Sequence, residues 1–80
     1  MLRFSKELEL TYVEQKVSKT GNIYMVVRFI SENGQTLDVM YKGSRPIQSF
    51  KLRENYNFQF EYTSRGRYSS IVCLEILDIE

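Results

Sequence analysis

The sequence predicts an all-β protein whose five strands close into a small Greek-key barrel. Five runs of strand-forming residues, divided by polar segments that contain glycine or proline, occupy most of the 80 residues. The six tyrosines and five phenylalanines favour a packed β core, because aromatic side chains suit the half-buried surface of a sheet. A chain of this length is expected to form one domain, residues 1–80.

The strand boundaries follow from the alternation of apolar and polar residues. In the first run, Leu8, Leu10 and Tyr12 alternate with polar neighbours, which is the period-2 pattern of a strand with one buried face. We therefore expect Tyr12 to point into the core together with the two leucines. The five strands are predicted at about residues 3–14, 22–31, 35–42, 55–63 and 68–79.

The fourth run carries an aromatic stripe. Its odd-numbered positions from 55 to 61 are all polar and belong in water, so the aromatic face must point inward. Burial of each Phe-sized side chain stabilises a fold by roughly 1.5–3 kcal/mol. The core is therefore predicted to hold Tyr56, Phe58, Phe60 and Tyr62, with Cys73 as a small buried residue of the fifth strand.

The turn between the second and third strands fixes their register. A two-residue loop at Asn33 and Gly34 would mix Arg28 into an apolar face. A three-residue loop that ends with a left-handed Gly34 separates the two faces, and we prefer it. It pairs Phe29 with Leu37, Val27 with Val39 and Met25 with Tyr41 on the apolar face, and Arg28 with Asp38, Val26 with Met40 and Tyr24 with Lys42 on the other.

The segment from Gly43 to Leu52 breaks the strand pattern. Pro46 allows one short helical turn, and Ile47, Phe50 and Leu52 are predicted to plug an open end of the barrel. Five antiparallel strands with such a short connector predict a Greek-key barrel. An SH3-like barrel is the alternative fold.

Composition argues against an enzyme. The chain has no histidine and a single cysteine, which excludes histidine catalysis, a thiolate zinc site and an internal disulfide. It also lacks the GxxxxGK[ST] and GxGxxG phosphate-binding patterns. We predict a non-catalytic protein without cofactor or metal. No signal peptide or stretch of about 20 apolar residues is evident, so we expect a cytoplasmic protein that does not enter the membrane.

The positive charge is concentrated in one part of the chain. The net charge is only +1, yet residues 42–68 carry six basic residues against two acidic ones. Such a cluster attracts anionic partners. The six basic residues are Lys42, Arg45, Lys51, Arg53, Arg65 and Arg67.

The run KTGNIYMVVRFISENGQTLDV resembles the hairpin of strands two and three in OB-fold nucleic-acid-binding domains. It is most similar to single-stranded-DNA-binding proteins, of the compact type carried by phages or mobile elements. Two features depart from those proteins: the connector is too short for a full helix, and EILDIE is not a long acidic tail. The resemblance implies a five-stranded OB barrel whose strand one–two and strand four–five loops lie at the same end, beside the outward face of strands two and three.

On that resemblance, the expected ligand is a single-stranded nucleic acid, DNA being the expected form, bound with low sequence selectivity. Cations would meet phosphates and tyrosine rings would stack on bases. Tyr24 and Tyr68 are the stacking candidates. The candidate phosphate contacts are Lys16, Lys19, Arg28, Lys42, Arg65 and Arg67.

The sequence leaves alternative roles open for the outward face of strands two and three and for individual residues on it. Arg28 either contacts phosphate or only pairs with Asp38, and Tyr24 is either a stacking platform or an exposed strand residue. The alternative function is a protein-interaction module. In that case strand edges, or the face of Tyr24, Val26 and Met40, would dock a partner protein or a second copy of the chain.

Overall fold

The computed structural model describes residues 1–79 as five strands and one short 3-10 turn. The elements are β1 (Leu2–Val17), β2 (Ile23–Ile30), β3 (Thr36–Tyr41), the 3-10 turn (Ile47–Ser49), β4 (Asn55–Arg65) and β5 (Tyr68–Leu77). The strands form a closed barrel in the order β1-β2-β3-β5-β4. The predicted fold class is therefore confirmed. No helix among the described residues is long and apolar enough to cross a membrane.

The long first strand closes the barrel by pairing on both sides. Its N-terminal half pairs with β4, from Leu2 opposite Tyr62 to Glu9 opposite Asn55. Its C-terminal half pairs with β2, ending at Val17 opposite Ile23. All neighbouring strands are antiparallel except β3 and β5, which run parallel. This closed five-stranded arrangement is consistent with an OB barrel and with the SH3-like alternative.

A β-bulge in β1 reverses the faces that the sequence pattern predicted. The register against β2 shifts between Leu10 and Tyr12, which leaves Thr11 as the extra residue. Leu8 and Leu10 are buried as predicted, but Tyr12 is 42% exposed on the outside of the barrel. The prediction that Tyr12 belongs to the core is wrong, because one inserted residue moves every later side chain to the opposite face. Val13 packs against the core instead.

The β2–β3 hairpin has the register preferred from the sequence. Met25 lies opposite Tyr41, and the pairing continues to Phe29 opposite Leu37. The Gly34 N–H donates to the Ser31 carbonyl at 3.0 Å, and Gly34 has a φ of 83°. The three-residue loop with a left-handed glycine is therefore confirmed. The expected Tyr24–Lys42 pair falls outside the ladder, since β3 ends at Tyr41.

The aromatic stripe of β4 forms the centre of the core, as predicted. Tyr56, Phe58 and Phe60 are buried, and Phe29 packs on both phenylalanines with ring centroids 5.3 Å apart. Cys73 is also fully buried. Tyr62 was predicted to be buried but is 38% exposed. It pairs with Leu2, the first residue of β1, and so lies at the edge of the closed barrel where little else covers it.

The connector between β3 and β4 closes one end of the barrel with an arginine and an aromatic ring. Phe50 packs edge-on against Tyr41 and Tyr56, with ring centroids 5.8 and 6.1 Å away. The Arg45 guanidinium lies 4.9 Å from the centroid of Phe50 and 5.2 Å from that of Tyr56. We call Arg45, Phe50 and Tyr56 the plug. The prediction of Phe50 as a plug residue is confirmed, whereas Leu52 is exposed.

Candidate nucleic-acid interface

Cross-strand pairs define one outward surface that spans β1, β2, β3 and β5. Because paired residues point to the same side of a sheet, the pairings fix which side chains share this surface. We call it the outer face. Its members are Tyr12, Glu14, Lys16, Tyr24, Val26, Arg28, Asp38, Met40 and Val72.

The middle of the outer face is apolar. Val26 pairs with Met40 on β3, and Met40 pairs with Val72 on β5. Met40 is exposed, while both valines are half-buried. Carboxylates stand at both ends of this row, since Glu14 pairs with Val26 and Glu61 pairs with Val72. The row therefore offers a surface for flat apolar groups such as bases. The carboxylates at its two ends are each paired with a cation, Glu14 with Lys16 and Glu61 with Arg3.

Arg28 is held by neighbours on the outer face. Its Nε donates to Asp38 Oδ1 at 2.7 Å and its Nη2 to Asp38 Oδ2 at 3.1 Å. The guanidinium also lies 5.3 Å from the centroid of the Tyr12 ring. The side-chain hydrogen bonds to Asp38, and after them the negative charge of Asp38, raise the pKa of Arg28. The same hydrogen bonds lower the pKa of Asp38. The pairing expected as one of two alternatives for Arg28 is therefore present.

Tyr24 and its neighbours form the end of the outer face next to the β1–β2 loop. Tyr24 is half-buried and lies opposite Lys16 on β1. The Lys16 Nζ is 3.8 Å from a Glu14 carboxylate oxygen, with both side chains well exposed. Lys42 is exposed just past the end of β3, and its backbone N–H donates to the Cys73 carbonyl at 2.8 Å. Within residues 1–79, the Lys42 side chain has no acidic partner.

The β1–β2 loop repeats the geometry of the β2–β3 loop. The Ser18 N–H donates to the Asn22 carbonyl at 2.8 Å, and the Gly21 N–H donates to the Ser18 carbonyl at 3.0 Å. Gly21 has a φ of 86°, so Lys19, Thr20 and Gly21 form another three-residue loop with a left-handed glycine. Both loops share the pattern Ser-x-x-Gly, a signal in the sequence from which this turn was predictable. The turn presents Lys19 at an exposed tip.

The β4–β5 hairpin ends in a two-residue turn that projects a tyrosine. Arg65 pairs with Tyr68 across the turn, which leaves Gly66 and Arg67 at the tip. Tyr68 is 83% exposed. Within the described chain, neither Arg65 nor Arg67 forms an ion pair. A shallow groove of about 280 Å³ beside the turn is lined by Thr63, Arg65, Tyr68, Ser69 and Ser70.

The two basic loops lie at opposite ends of β1. The β1–β2 loop follows Val17, the last residue of β1. The β4–β5 turn lies beyond Tyr62, which already pairs with the first residue of β1, Leu2. The position implied by the resemblance, with both loops at the same end, is therefore wrong, because β1 and β4 are antiparallel. Lys16, Lys19 and Tyr24 come together at one end, whereas Arg65, Arg67 and Tyr68 come together at the other.

Tyr12 and Val72 are outer-face residues that the sequence did not assign to this surface. Tyr12 was assigned to the core because alternation continued through Thr11, and only the bulge turns its ring outward. Val72 was not placed because a parallel β3–β5 pairing has no local signal in the sequence. A clue to the bulge does exist, since Val13 follows Tyr12 directly and only one of two successive residues faces the core.

The chain matches no family model, no curated protein and no solved structure. Residues 1–79 also contain no group of three or more His, Cys, Asp or Glu side chains that could hold a metal ion. The barrel and the chemistry of its surface are therefore what indicate a function.

Proposed function

We propose that this protein binds single-stranded nucleic acid with little sequence selectivity and without catalysis. DNA is the proposed form of the ligand. The observation that carries the proposal is the arrangement around the apolar row of the outer face. Tyr24, Lys19 and Lys42 lie on one side of this row along the strands, and Tyr68, Arg65 and Arg67 lie on the other side. Single strands are bound by the same combination elsewhere, with cations on the backbone and aromatic rings on the bases. We also propose that the protein is cytoplasmic, a compartment in which its single cysteine stays reduced.

The two ends take complementary parts in binding. Lys19 and Lys42 attract phosphates at the end of Tyr24, and Arg65 and Arg67 do so at the end of Tyr68. Bases stack on the two tyrosine rings and rest on the apolar row between them. Strand rise and spacing put Tyr24 and Tyr68 roughly 20 Å apart along the surface. That distance suits a site at the short end of the about 4–16 nucleotides typical of one OB-fold.

Arg28 has a positioning role in this scheme. Its bidentate pair with Asp38 neutralises both charges at one side of the apolar row. The guanidinium also lies 5.3 Å from the centroid of the Tyr12 ring, a contact that helps to hold it on the outer face. Because a guanidinium group is planar, we propose that a base stacks on it without a phosphate contact.

The test is a fluorescence anisotropy titration with a labelled oligothymidine at several salt concentrations. We expect binding at low salt that weakens by about 0.7 log unit per log unit of salt for each phosphate contact. Arg65→Ala with Arg67→Ala should weaken binding and flatten the salt slope. Lys51→Ala is the matched control, since Lys51 is an exposed cation of the β3–β4 connector with no acidic partner among residues 1–79. No binding at low salt would refute the proposal.

The stacking step is tested separately through the tyrosines. Tyr24→Ala and Tyr68→Ala should each cost about 1–3 kcal/mol of binding free energy if one base stacks on each ring. The salt slope should change little, because no charge is removed. If both variants bound as tightly as the unaltered protein, the ligand would have to lie away from the outer face.

A further inference from the structure

The barrel is not fully hydrogen-bonded around its circumference. β3 and β5 pair at only two positions, Met40 opposite Val72 and Tyr41 opposite Cys73. Towards the start of both strands the ladder stops, although β3 begins at Thr36 and β5 at Tyr68. We call the stretch between residues 36–39 and residues 68–71 the open seam. Its side chains are exposed except for Val39, which is buried, and Ile71, which is half-buried.

The direction of the backbone groups along β5 follows from one hydrogen bond. The Cys73 carbonyl accepts from the Lys42 N–H, so the polar groups of Cys73 face β3. The backbone N–H and C=O groups of successive residues point to opposite sides of a strand. The groups of Ser69 and Ile71 therefore face the open seam, and those of Ser70 face β4. An exposed edge with free donors and acceptors is a template for another strand.

Charge and polarity restrict what fits this edge. Lys42 stands at the closed end of the seam, and Arg65 and Arg67 stand at the hairpin end, with no acidic partner among residues 1–79. On the inner side of the sheet, Ile71 and the 49% exposed Leu37 provide apolar surface. Asp38, on the outer side of the seam, is neutralised by its pair with Arg28, so the unpaired charges near the seam are positive. A strand placed here would therefore turn one set of alternate side chains towards these cations and the other set towards apolar residues.

We propose that the open seam docks an extended acidic segment of another protein, which adds to β5 as a strand. The segment alternates acidic residues, which point to the outer side near Arg65, with apolar residues, which point to Ile71. The free edge from Tyr68 to Ile71 spans roughly 13 Å, long enough for four paired residues. Backbone hydrogen bonds provide the affinity and the alternating side chains provide the selectivity. This site does not depend on the nucleic-acid function.

Amide hydrogen exchange tests the edge in the free protein. The N–H groups of Ser69 and Ile71 should exchange rapidly, because no strand accepts them. Those of Ser70 and Val72 should be protected, since β4 accepts them. Slow exchange at Ser69 and Ile71 in the free protein would show that the seam is already closed and would overturn the proposal.

The docking itself is tested with a seven-residue peptide that alternates glutamate and valine, titrated into isotope-labelled protein. Shifts centred on Ser69 and Ile71 are expected, and these two amides should become protected. Two matched peptides carry N-methyl groups on alternate backbone nitrogens. In one peptide the methylated nitrogens are those that would face β5, and in the other they are those that would face away from β5. Methylation of the nitrogens that face β5 should weaken binding at least about tenfold, because it removes two or more hydrogen bonds. The other methylated peptide should bind like the parent.

Charge is tested with a third peptide, in which lysine replaces glutamate and which should not bind. No shifts at the seam with the acidic peptide, or equal binding of both methylated peptides, would overturn the proposal. Oligothymidine titrated into the same sample separates the two functions. If the oligonucleotide binds while the peptide does not, the seam proposal fails and the nucleic-acid proposal stands. If the peptide binds while the oligonucleotide does not, the nucleic-acid proposal fails and the seam proposal stands.

Discussion

Asp38 shows how one residue determines the character of the outer face. Its carboxylate accepts two hydrogen bonds from Arg28 on the outer face. Both side chains are nearly half exposed, so the pair adds little to the stability of the fold. Its main effect is local, because it removes a free cation from the centre of the outer face and leaves the unpaired cations at the ends.

The pKa of Asp38 provides a direct test of this pair. The hydrogen bonds from Arg28 hold the pKa of Asp38 below its usual value. A depressed carboxyl pKa stabilises the folded state above the ordinary pKa of about 3.9, and this stabilisation is lost as the pH falls through the folded-state value. In Arg28→Gln the pKa of Asp38 should rise, as measured by carbon NMR of the carboxyl group. An unchanged pKa would show that the pair is absent in solution.

Cys73 gives a second test at this scale. Burial raises the pKa of its thiol to about 12, so the reactive thiolate is nearly absent at pH 8. A disulfide reagent such as DTNB should therefore not label the native protein within minutes but should label it at once in denaturant. Rapid labelling of the native protein would mean that β5 detaches from the barrel.

Turn chemistry explains which elements were predictable from the sequence. The β2–β3 register followed from Gly34 and from the need to separate charged and apolar faces, and both are local properties. The bulge at Thr11 was not predictable from alternation, because the residues on either side fit a regular strand equally well. Pairing with β2 decides the outcome, since it lets Val13 reach the core.

Gly21 tests the shared loop geometry. It has a φ of 86° and open space around the position of a Cβ, so a substitution meets backbone strain without a clash. Gly21→Ala should lower the free energy of unfolding by about 1–2 kcal/mol. Gly21→Asn should cost less, because asparagine tolerates the left-handed conformation. Urea denaturation measures both, and equal stability of Gly21→Ala and the unaltered protein would argue against this turn.

At the scale of the whole molecule, the fold puts the members of the basic cluster in different surroundings. The sequence placed six basic residues together between positions 42 and 68, but the fold separates them. Arg45 lies in the plug, whereas Arg65 and Arg67 lie on the hairpin tip. The separation depends on the strand order, which sets β5 between β3 and β4. Charge clustering along the chain therefore indicated an anionic partner without showing which cations are free.

Arg45 is expected to determine stability without taking part in binding. Its guanidinium donates to the carbonyls of Ile76 at 3.2 Å and Ser49 at 3.1 Å, lies 2.9 Å from an Asp78 oxygen and covers the rings of the plug. Hydrogen bonds to charged groups contribute about 1.5–3 kcal/mol, and a partly desolvated cation–π contact adds about 1 kcal/mol. Arg45→Ala should therefore lower the free energy of unfolding by about 2–4 kcal/mol in urea denaturation.

Arg45→Lys should recover only part of this loss, because an ammonium group cannot reach all of these acceptors while stacking on two rings. Both Arg45 variants, measured where they are still folded, should bind oligothymidine like the unaltered protein. Arg65→Ala with Arg67→Ala should do the reverse, retaining stability within about 0.5 kcal/mol, as surface substitutions usually do, while losing affinity. If folded Arg45→Ala lost binding as strongly as the hairpin variant, the anionic ligand would lie over the plug, and the outer face would not be the binding site.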